Sequence, residues 1–455
     1  MVKIINQIFE KIGIDGAILY TSLARIIQAG GGLVTIFFVA KFLTGIEQGF
    51  YYTFGSVLAI QIFFELGLNG IITQYVAHEA SHLNWESDTK LIGSENHLSR
   101  LSSLLHFAVK WYLIFAGFLL VILLFTGYLF FNRYNVSGGI VEWTFPWILL
   151  SVSTTMGFII NPVFAFMEGL GKVKAIAQLR LIQQIFTTLM VWITMVLHAK
   201  LYSSGISSIL GFIIVFTIFF CGKYSKLLIY IWMSLGKESV NYKNEIFPYQ
   251  WKIALSWVSG YFIFQLFNPV LFATEGAVIA GQMGMTLAAL NGILGLSLSW
   301  MSTKIPLYAG LIAQKNYIEL DKIFNKTLNQ STLINGLLLI ILFLFIYALK
   351  YLRLPLGNRF LPYFPLILMM IPIFLNQIIA SWATYLRCHK QEPFLIQSIT
   401  IGILTCLSTL FLGKYFGVGG MTLGYCLITL FGLIWGSRIF ITKKLNWHAS
   451  NNLLK

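Results

Sequence analysis

Charge is scarce in this chain. Only 10% of its 455 residues are charged, and Asp and Glu together number 16. A chain with so few carboxylates has little to offer for general acid–base chemistry or divalent-metal binding, and no nucleophile or acid/base pair stands out. The four cysteines (Cys221, Cys388, Cys406 and Cys426) lie in or at the ends of apolar stretches without paired spacing, so neither a disulfide framework nor a zinc site is expected. No Walker-type phosphate loop is present, the seven histidines are scattered, and no cluster has metal-ligand spacing. No cofactor and no metal are therefore expected. Residues Met1–Asp15 contain Lys3, Glu10, Lys11 and Asp15 but no small-residue cleavage site, and read as a short amphipathic lead-in rather than a removable signal peptide.

What the chain has in abundance is hydrocarbon. Hydrophobic residues make up 57% of it, and the mean hydropathy is +0.78, outside the range of an ordinary soluble domain. A spanning helix needs roughly 20 apolar residues. Twelve stretches qualify: 17–42, 49–72, 104–131, 143–167, 174–198, 203–221, 251–274, 277–301, 331–351, 361–386, 394–413 and 419–440. The fold class expected is an all-α integral membrane protein.

The excess of 31 Lys and Arg over 16 Asp and Glu is distributed by side of the membrane, which argues against nucleic acid as a partner. With an even number of spans both termini share one face. That face collects Lys3, Lys11, Lys90, Arg100, Lys172, Lys174, the lysines of 223–252 and 304–326, Arg387, Lys390, Arg438, Lys443, Lys444 and Lys455. The opposite face holds Lys41, Arg133, Lys200, Lys350, Arg353, Arg359 and Lys414. By the positive-inside rule both termini are cytoplasmic. Loops on the outer side are short, the longest being Asn132–Glu142, leaving no room for an external catalytic domain. Three cytoplasmic loops are longer: 77–103, 222–250 and 303–330. The run from Lys226 to Lys237 within the second is too short to span and suits a helix lying in the headgroup layer.

Two halves share an order of features. The fourth span ends Asn161-Pro162, with Lys172 eleven positions after the Asn and Leu181-Ile-Gln183 beyond; the tenth runs from Asn376 to Arg387, followed by Leu395-Ile-Gln397. The second and eighth spans each follow a Glu (Glu47, Glu275) and lead into amphipathic cytoplasmic stretches. The organisation expected is a six-helix lobe over 1–221, a linker over 222–250 and a second six-helix lobe over 251–455, related by an axis along the membrane normal.

Polar residues inside spans are the candidate site. Arg25 lies about 12 Å into the first span at the helical rise, and a charge there costs about 2.5–3.5 kcal/mol on insertion scales, so it should face protein or a wet cavity. Glu65 sits at similar depth in the second span, and either pairs with Arg25 or leaves it free for anionic cargo. Arg180 either snorkels to the interface or points inward. Gln28, Asn161, Gln265, Asn268, Asn291 and Asn376 interrupt apolar helices as hydrogen-bonding positions or bends. Gly30-Gly-Gly32 serves either close packing or flexing.

At this point the chain resembles the multidrug/oligosaccharidyl-lipid/polysaccharide exporter superfamily, specifically the Wzx-type flippases of O-antigen or capsule repeat units. The resemblance covers nearly the full length and rests on the span pattern with internal Arg25, Gln48-Gly-Phe-Tyr-Tyr52, Glu65-Leu-Gly-Leu68, Glu168-Gly-Leu-Gly-Lys172, and the run from Gly276 to Gly284. It implies a MATE-like fold with pseudo-twofold lobes, alternating access around a cationic cavity, and no enzymatic activity. It also implies a bacterial cytoplasmic-membrane location and an undecaprenyl-pyrophosphate-linked oligosaccharide as substrate. Membrane lipids, a polysaccharide polymerase and assembly proteins are the candidate partners. On this reading Arg25 and Arg180 hold pyrophosphate or acidic sugar, while Gln28, Glu65, Asn161, Gln265, Asn268, Asn291 and Asn376 line the substrate path. The rivals are an ion-coupled drug exporter of the same fold, with Glu65 as the titrating carboxylate, a membrane polymerase or ligase, and a nontransporting scaffold.

Overall fold

The computed structural model describes residues 16–135, 141–389 and 392–452; the lead-in Met1–Asp15 lies outside them. The described chain is helical almost throughout, because in hydrocarbon only a helix satisfies every backbone donor and acceptor within its own segment. In order, the helices are α1 (Gly16–Phe42), α2 (Gly45–Leu58), α3 (Ile62–Glu65), α4 (Leu68–Ala80), α5 (Glu95–Tyr134), α6 (Thr144–Gly169), α7 (Val173–Val196), α8 (Tyr202–Phe220) and α9 (Lys223–Met233). They continue with α10 (Phe247–Phe264), α11 (Phe267–Thr274), α12 (Ala277–Ser302), α13 (Ile305–Ala313), α14 (Tyr317–Tyr351), α15 (Tyr363–Cys388) and α16 (Leu395–Asn452).

Among the described residues, eight helical segments are long and apolar enough to cross a bilayer, and two bent pairs raise the number to ten. One pair joins α2–α3 to α4 at 40°, the other α10 to α11 at 41°. The 58-residue run of α16 is two helices meeting at Gly417, whose φ of 59° and ψ of −150° leave the helical region. They fold back on one another: Gln397 Nε2 donates to the Gly432 carbonyl at 2.6 Å, and a Cβ on Gly424 would strike Ser408. With α1, 27 residues long, the described membrane-length segments come to about twelve. Their outward residues are apolar. On α5, Leu113, Ile114, Phe118, Val121 and Phe125 are all more than half exposed, as a lipid-facing surface requires.

The loops depart from expectation in two places. Within 77–103, Leu83–Ser87 (β1) and Lys90–Gly93 (β2) form an antiparallel hairpin. Most of 303–330 is helical, as α13 and the first turns of α14, because Pro306 starts one helix and the Asn316 side chain caps the next by accepting from the Glu319 N–H at 3.3 Å.

The described chain resolves into two compact units: one takes the chain up to Thr53 and from Phe262 onward, the other is Phe54–Tyr261. In the Phe54–Tyr261 unit, Phe54, Phe131 and Trp147 stack within 5.4 Å of one another. The Trp147 Nε1 donates to the Leu123 carbonyl at 3.0 Å, its ring filling the space where a Cβ on Gly127 would lie. In the other unit the start of α2 is locked to α12. A Cβ on Gly49 would lie 2.0 Å from the Ala277 carbonyl oxygen, and one on Gly284 would lie 2.2 Å from Tyr52 Cβ. Gln48, 1% exposed, donates to the carbonyls of Gly281 at 2.8 Å and Arg359 at 3.1 Å. Arg359 Nη2 donates to the Leu43 carbonyl at 2.7 Å. The two sequence motifs Gln48–Tyr52 and Gly276–Gly284 are thus the two halves of one packing joint.

Candidate functional site

Polar side chains inside the spans gather in two places, one in each unit. In the unit containing α1 and α12, a cleft of about 490 Å³ opens between these helices, lined by Gln28, Gly32, Asn291, Gly292, Gly295 and Ser299 among others. Small residues make it possible: an added Cβ at Gly30 or Gly32 meets nothing within 4 Å, so these glycines border open space rather than a close helix contact. Gln28 and Asn291 are both exposed. Arg25 lies in α1 three positions before Gln28; its side chain falls outside the described residues.

Behind α12 lies a buried hydrogen-bonded network that sets its position. Ser331 Oγ donates to the Ser297 carbonyl at 2.7 Å and Asn335 Nδ2 to Ser297 Oγ at 3.2 Å. Gln377 Nε2 donates to Ser331 Oγ at 2.8 Å, and Thr332 Oγ1 to Gln377 Oε1 at 2.9 Å. Ser297, Ser331, Asn335 and Gln377 are fully buried, so α12, α14 and α15 are joined by polar groups that have no water to fall back on.

In the Phe54–Tyr261 unit the polar feature is a seam built on a helix break. Leu66 (φ 48°) and Gly67 (φ 69°) both take the left-handed conformation, ending α3 at Glu65 and restarting the chain as α4. Asn69 spans the break. Its Nδ2 donates to Glu65 Oε1 at 2.7 Å, while its Oδ1 accepts from the Tyr112 hydroxyl at 2.8 Å. Thr73 Oγ1 donates to the Ala165 carbonyl at 3.0 Å and ties α4 to α6. Arg180 lies within electrostatic reach of Glu65 and pairs with Glu168 at 3.2 Å. The arginine and glutamate side chains there are 47% and 26% exposed, which makes the contact a screened one.

The remaining candidates stand apart from these two clusters. Asn161 is partly exposed on α6 beside the buried Pro162, and Gln265 sits at the α10–α11 break. Asn268 is 6% exposed near the start of α11. Asn376 Nδ2 donates to the Tyr425 hydroxyl at 2.9 Å, and Tyr425 also packs on Phe267, ring centroids 5.0 Å apart. Sequence reasoning missed Asn69, Tyr112, Asn335, Gln377 and the Gln48–Arg359 lock. The available signal was an amide in an otherwise apolar span, and, for Asn69, its spacing of four from Glu65. Among the described residues no group of three or more His, Cys, Asp or Glu is placed to hold a metal ion.

Comparison with solved structures gives the fold. An outward-facing multidrug resistance MATE family transporter of the MOP superfamily is 12% identical, with 95% of this chain and 97% of that chain covered at a TM-score of 0.57. The lipid II flippase MurJ, in an inward closed conformation, is 14% identical over 94% of this chain and 90% of its own, at 0.56. The MATE multidrug transporter DinF-BH is 13% identical over 94% of this chain and 95% of its own, at 0.59. The chain is a multi-pass membrane protein with the MATE-like fold that these structures share. No family model matches the sequence, and no curated protein matches it.

Proposed function

We propose that this protein is a flippase that carries polyprenyl-pyrophosphate-linked oligosaccharide repeat units across the bacterial cytoplasmic membrane by alternating access, in polysaccharide biosynthesis. The observation that carries the reading is the α1–α12 cleft. Amides, two serines and glycines are among the residues lining an open hollow there, with a basic position three residues before Gln28 on the same helix. An oligosaccharide head bears many hydroxyls, each costly to move through hydrocarbon unpaired, whereas its polyprenyl tail can stay in the bilayer. A polar hollow inside an apolar bundle removes most of that barrier. Gln28 and Asn291 bind hydroxyls, and Arg25 binds the pyrophosphate. In this reading the lobes 1–221 and 251–455 rock about the 222–250 linker, with both termini in the cytoplasm. A lipid II flippase among the similar folds supports the reading.

The test is a deletion strain in which the sidedness of undecaprenyl-linked repeat units is measured. Their accumulation on the cytoplasmic leaflet is expected, with rescue by the wild-type chain. Arg25→Ala should fail to rescue and Arg25→Lys should rescue in part; full rescue by Arg25→Ala sinks the cargo role. The second reading, an ion-coupled exporter of small molecules, is favoured by the Glu65–Asn69–Tyr112 seam, since such a transporter needs an intramembrane carboxylate. That reading expects Glu65→Gln to abolish efflux of a cationic dye while leaving lipid-linked sugars evenly distributed.

A further inference from the structure

Helices α1 and α12 lie side by side in one unit and run in opposite directions, and the space between them changes along their length. On α12 the cleft runs from Ala288 to Ser302, about 21 Å at the helical rise. One turn before Ala288 the space closes. Gly284 lies against Tyr52 there, and further along Gly281 and Ala277 lie against Gly49. Gln48 is 1% exposed and Thr53 0%, so this end of the cleft is sealed.

Two properties mark the seal as one that can part. Where α2 crosses α12, the surfaces in contact are Gly49, Gly281 and the Ala277 backbone. These are glycine and main chain rather than interlocked side chains, so separation asks for no change of rotamer. The polar contacts of the joint also exchange readily with water. Gln48 Nε2 donates to the carbonyls of Gly281 and Arg359, and a protein hydrogen bond traded for a hydrated one is worth little net.

One contact is charge-assisted. Arg359 ends the turn Pro355–Arg359 between α14 and α15, and its Nη2 donates to the Leu43 carbonyl at 2.7 Å. Leu43 follows the last residue of α1, where carbonyls lack helical partners and the helix dipole is negative. The guanidinium also reaches Gln48 Oε1 at 3.4 Å and lies 3.5 Å from where a Cβ on Gly45 would stand. A single side chain from the second half of the sequence thus ties down the end of α1 and the start of α2.

We propose that the α2–α12 joint is the outer gate of the cleft, shut in this structure, and that Arg359 is its latch. Release of the guanidinium from Leu43 lets the end of α1 and the start of α2 swing from α12, which opens the cleft at the end away from Ser302. The inference rests on the alternating-access reading above and adds the residue that sets how often the far end opens. Arg359 acts through α1 and touches no cargo, so it is a positioning residue.

The experiment uses full-length protein in lipid nanodiscs with a reporter, Thr53→Cys. Thr53 lies one turn past Gly49 on the same face of α2, and its buried hydroxyl has no hydrogen-bond partner among the described residues, so the exchange is mild. A water-soluble maleimide reaches this position only when the joint parts, and its rate of reaction is read by peptide mass spectrometry. Arg359→Ala should raise that rate about tenfold, the factor for losing one charge-assisted hydrogen bond, while Arg359→Lys should stay near the parent rate. Native Cys426, 4% exposed in the same unit, should react at its parent rate in both. A disulfide between Gly45→Cys and Val278→Cys, where a Cβ on Gly45 lies 4.0 Å from Val278 Cγ2, should remove the rise and block transport in the leaflet assay until it is reduced. An unchanged rate at Thr53→Cys, a matching rise at Cys426, or transport at the parent rate with the bridge closed overturns the proposal. The labelling needs no cargo, so it decides on the latch even if the parent chain moves no lipid-linked sugar, a result that would sink the flippase reading alone.

Discussion

The α1–α12 cleft and the Glu65 seam are both made of polar groups inside membrane helices, yet they are built in opposite ways. In the cleft the polar residues Gln28 and Asn291 are exposed, and glycines keep the space between them open. In the seam each polar group is spoken for: Tyr112 donates to Asn69, Asn69 to Glu65, and Arg180 pairs with Glu168. A polar group in hydrocarbon must be satisfied by its own protein or by something that arrives. The seam follows the first course and holds a broken helix in shape. The cleft leaves Gln28 and Asn291 exposed to whatever enters it, and so is the place to test the proposed cargo role.

The most severe perturbation removes the scaffold beneath the cleft. Gly49→Val puts side-chain atoms where the Ala277 carbonyl stands, and backbone cannot yield as a side chain can. Overpacking of this kind costs about 1–3 kcal/mol or more. Loss of monodisperse protein on size exclusion, or a Tm lowered by many degrees, is expected; an unchanged Tm would mean the α2–α12 joint is looser than its geometry. Next in size, the double variant Gln28→Ala, Asn291→Ala should reduce transport at least tenfold in the leaflet assay with Tm within a degree or two of wild type. A parallel loss of Tm would make the cleft structural like the seam.

The seam should answer in the reverse sense. Asn69→Leu strands both the Tyr112 hydroxyl and the Glu65 carboxylate, and a stability loss of roughly 1–3 kcal/mol is expected, read as a Tm shift, with transport per folded molecule retained. Transport lost without any change in Tm would move the seam into the substrate path.

The smallest effect is at the polar end of the Phe54–Tyr261 unit. Arg100 donates to Glu79 at 2.9 Å and to Glu245 at 2.6 Å. Partial burial acts to raise the Glu245 pKa, but hydrogen bonds from Arg100 and from the Asn241 N–H, with the guanidinium charge, hold it below the usual carboxylate value. A folded-state pKa below the unfolded one means that this contact stabilises above the unfolded value. The contribution is lost as pH falls through the folded value, below about pH 4. A partly exposed pair is worth under about 1 kcal/mol. Glu245→Gln should therefore narrow the Tm difference between pH 7 and pH 3 by a degree or so, and an unaltered pH profile would mean the contact adds nothing measurable to stability.

Much of the architecture is legible in the order of residues because the bilayer imposes a length on every apolar run. The two last spans separate on sequence as 394–413 and 419–440, and the chain reverses between them at Gly417, whose φ and ψ leave the helical region. The loop 303–330 is harder: its polar residues read as loop, but Pro306 and Asn316 start helices that extend beyond the hydrocarbon. The β1–β2 hairpin is invisible, because its pairing of Leu83 with Gly93 and Asn84 with Ile92 has no apolar alternation strong enough to announce it. Within the candidate site, Gln28 and Asn291 both stand out as polar interruptions, but nothing in the chain order joins positions so far apart.

Composition and the spacing of apolar runs suffice for a helical bundle that crosses the membrane about twelve times, because burial in lipid forces each segment to satisfy its own backbone. Which polar side chains face an open hollow and which are consumed by neighbours comes from packing in three dimensions. That outcome depends on distances between helices far apart in sequence, and those distances are set by close contacts such as Gly49 on Ala277 and Gly284 on Tyr52.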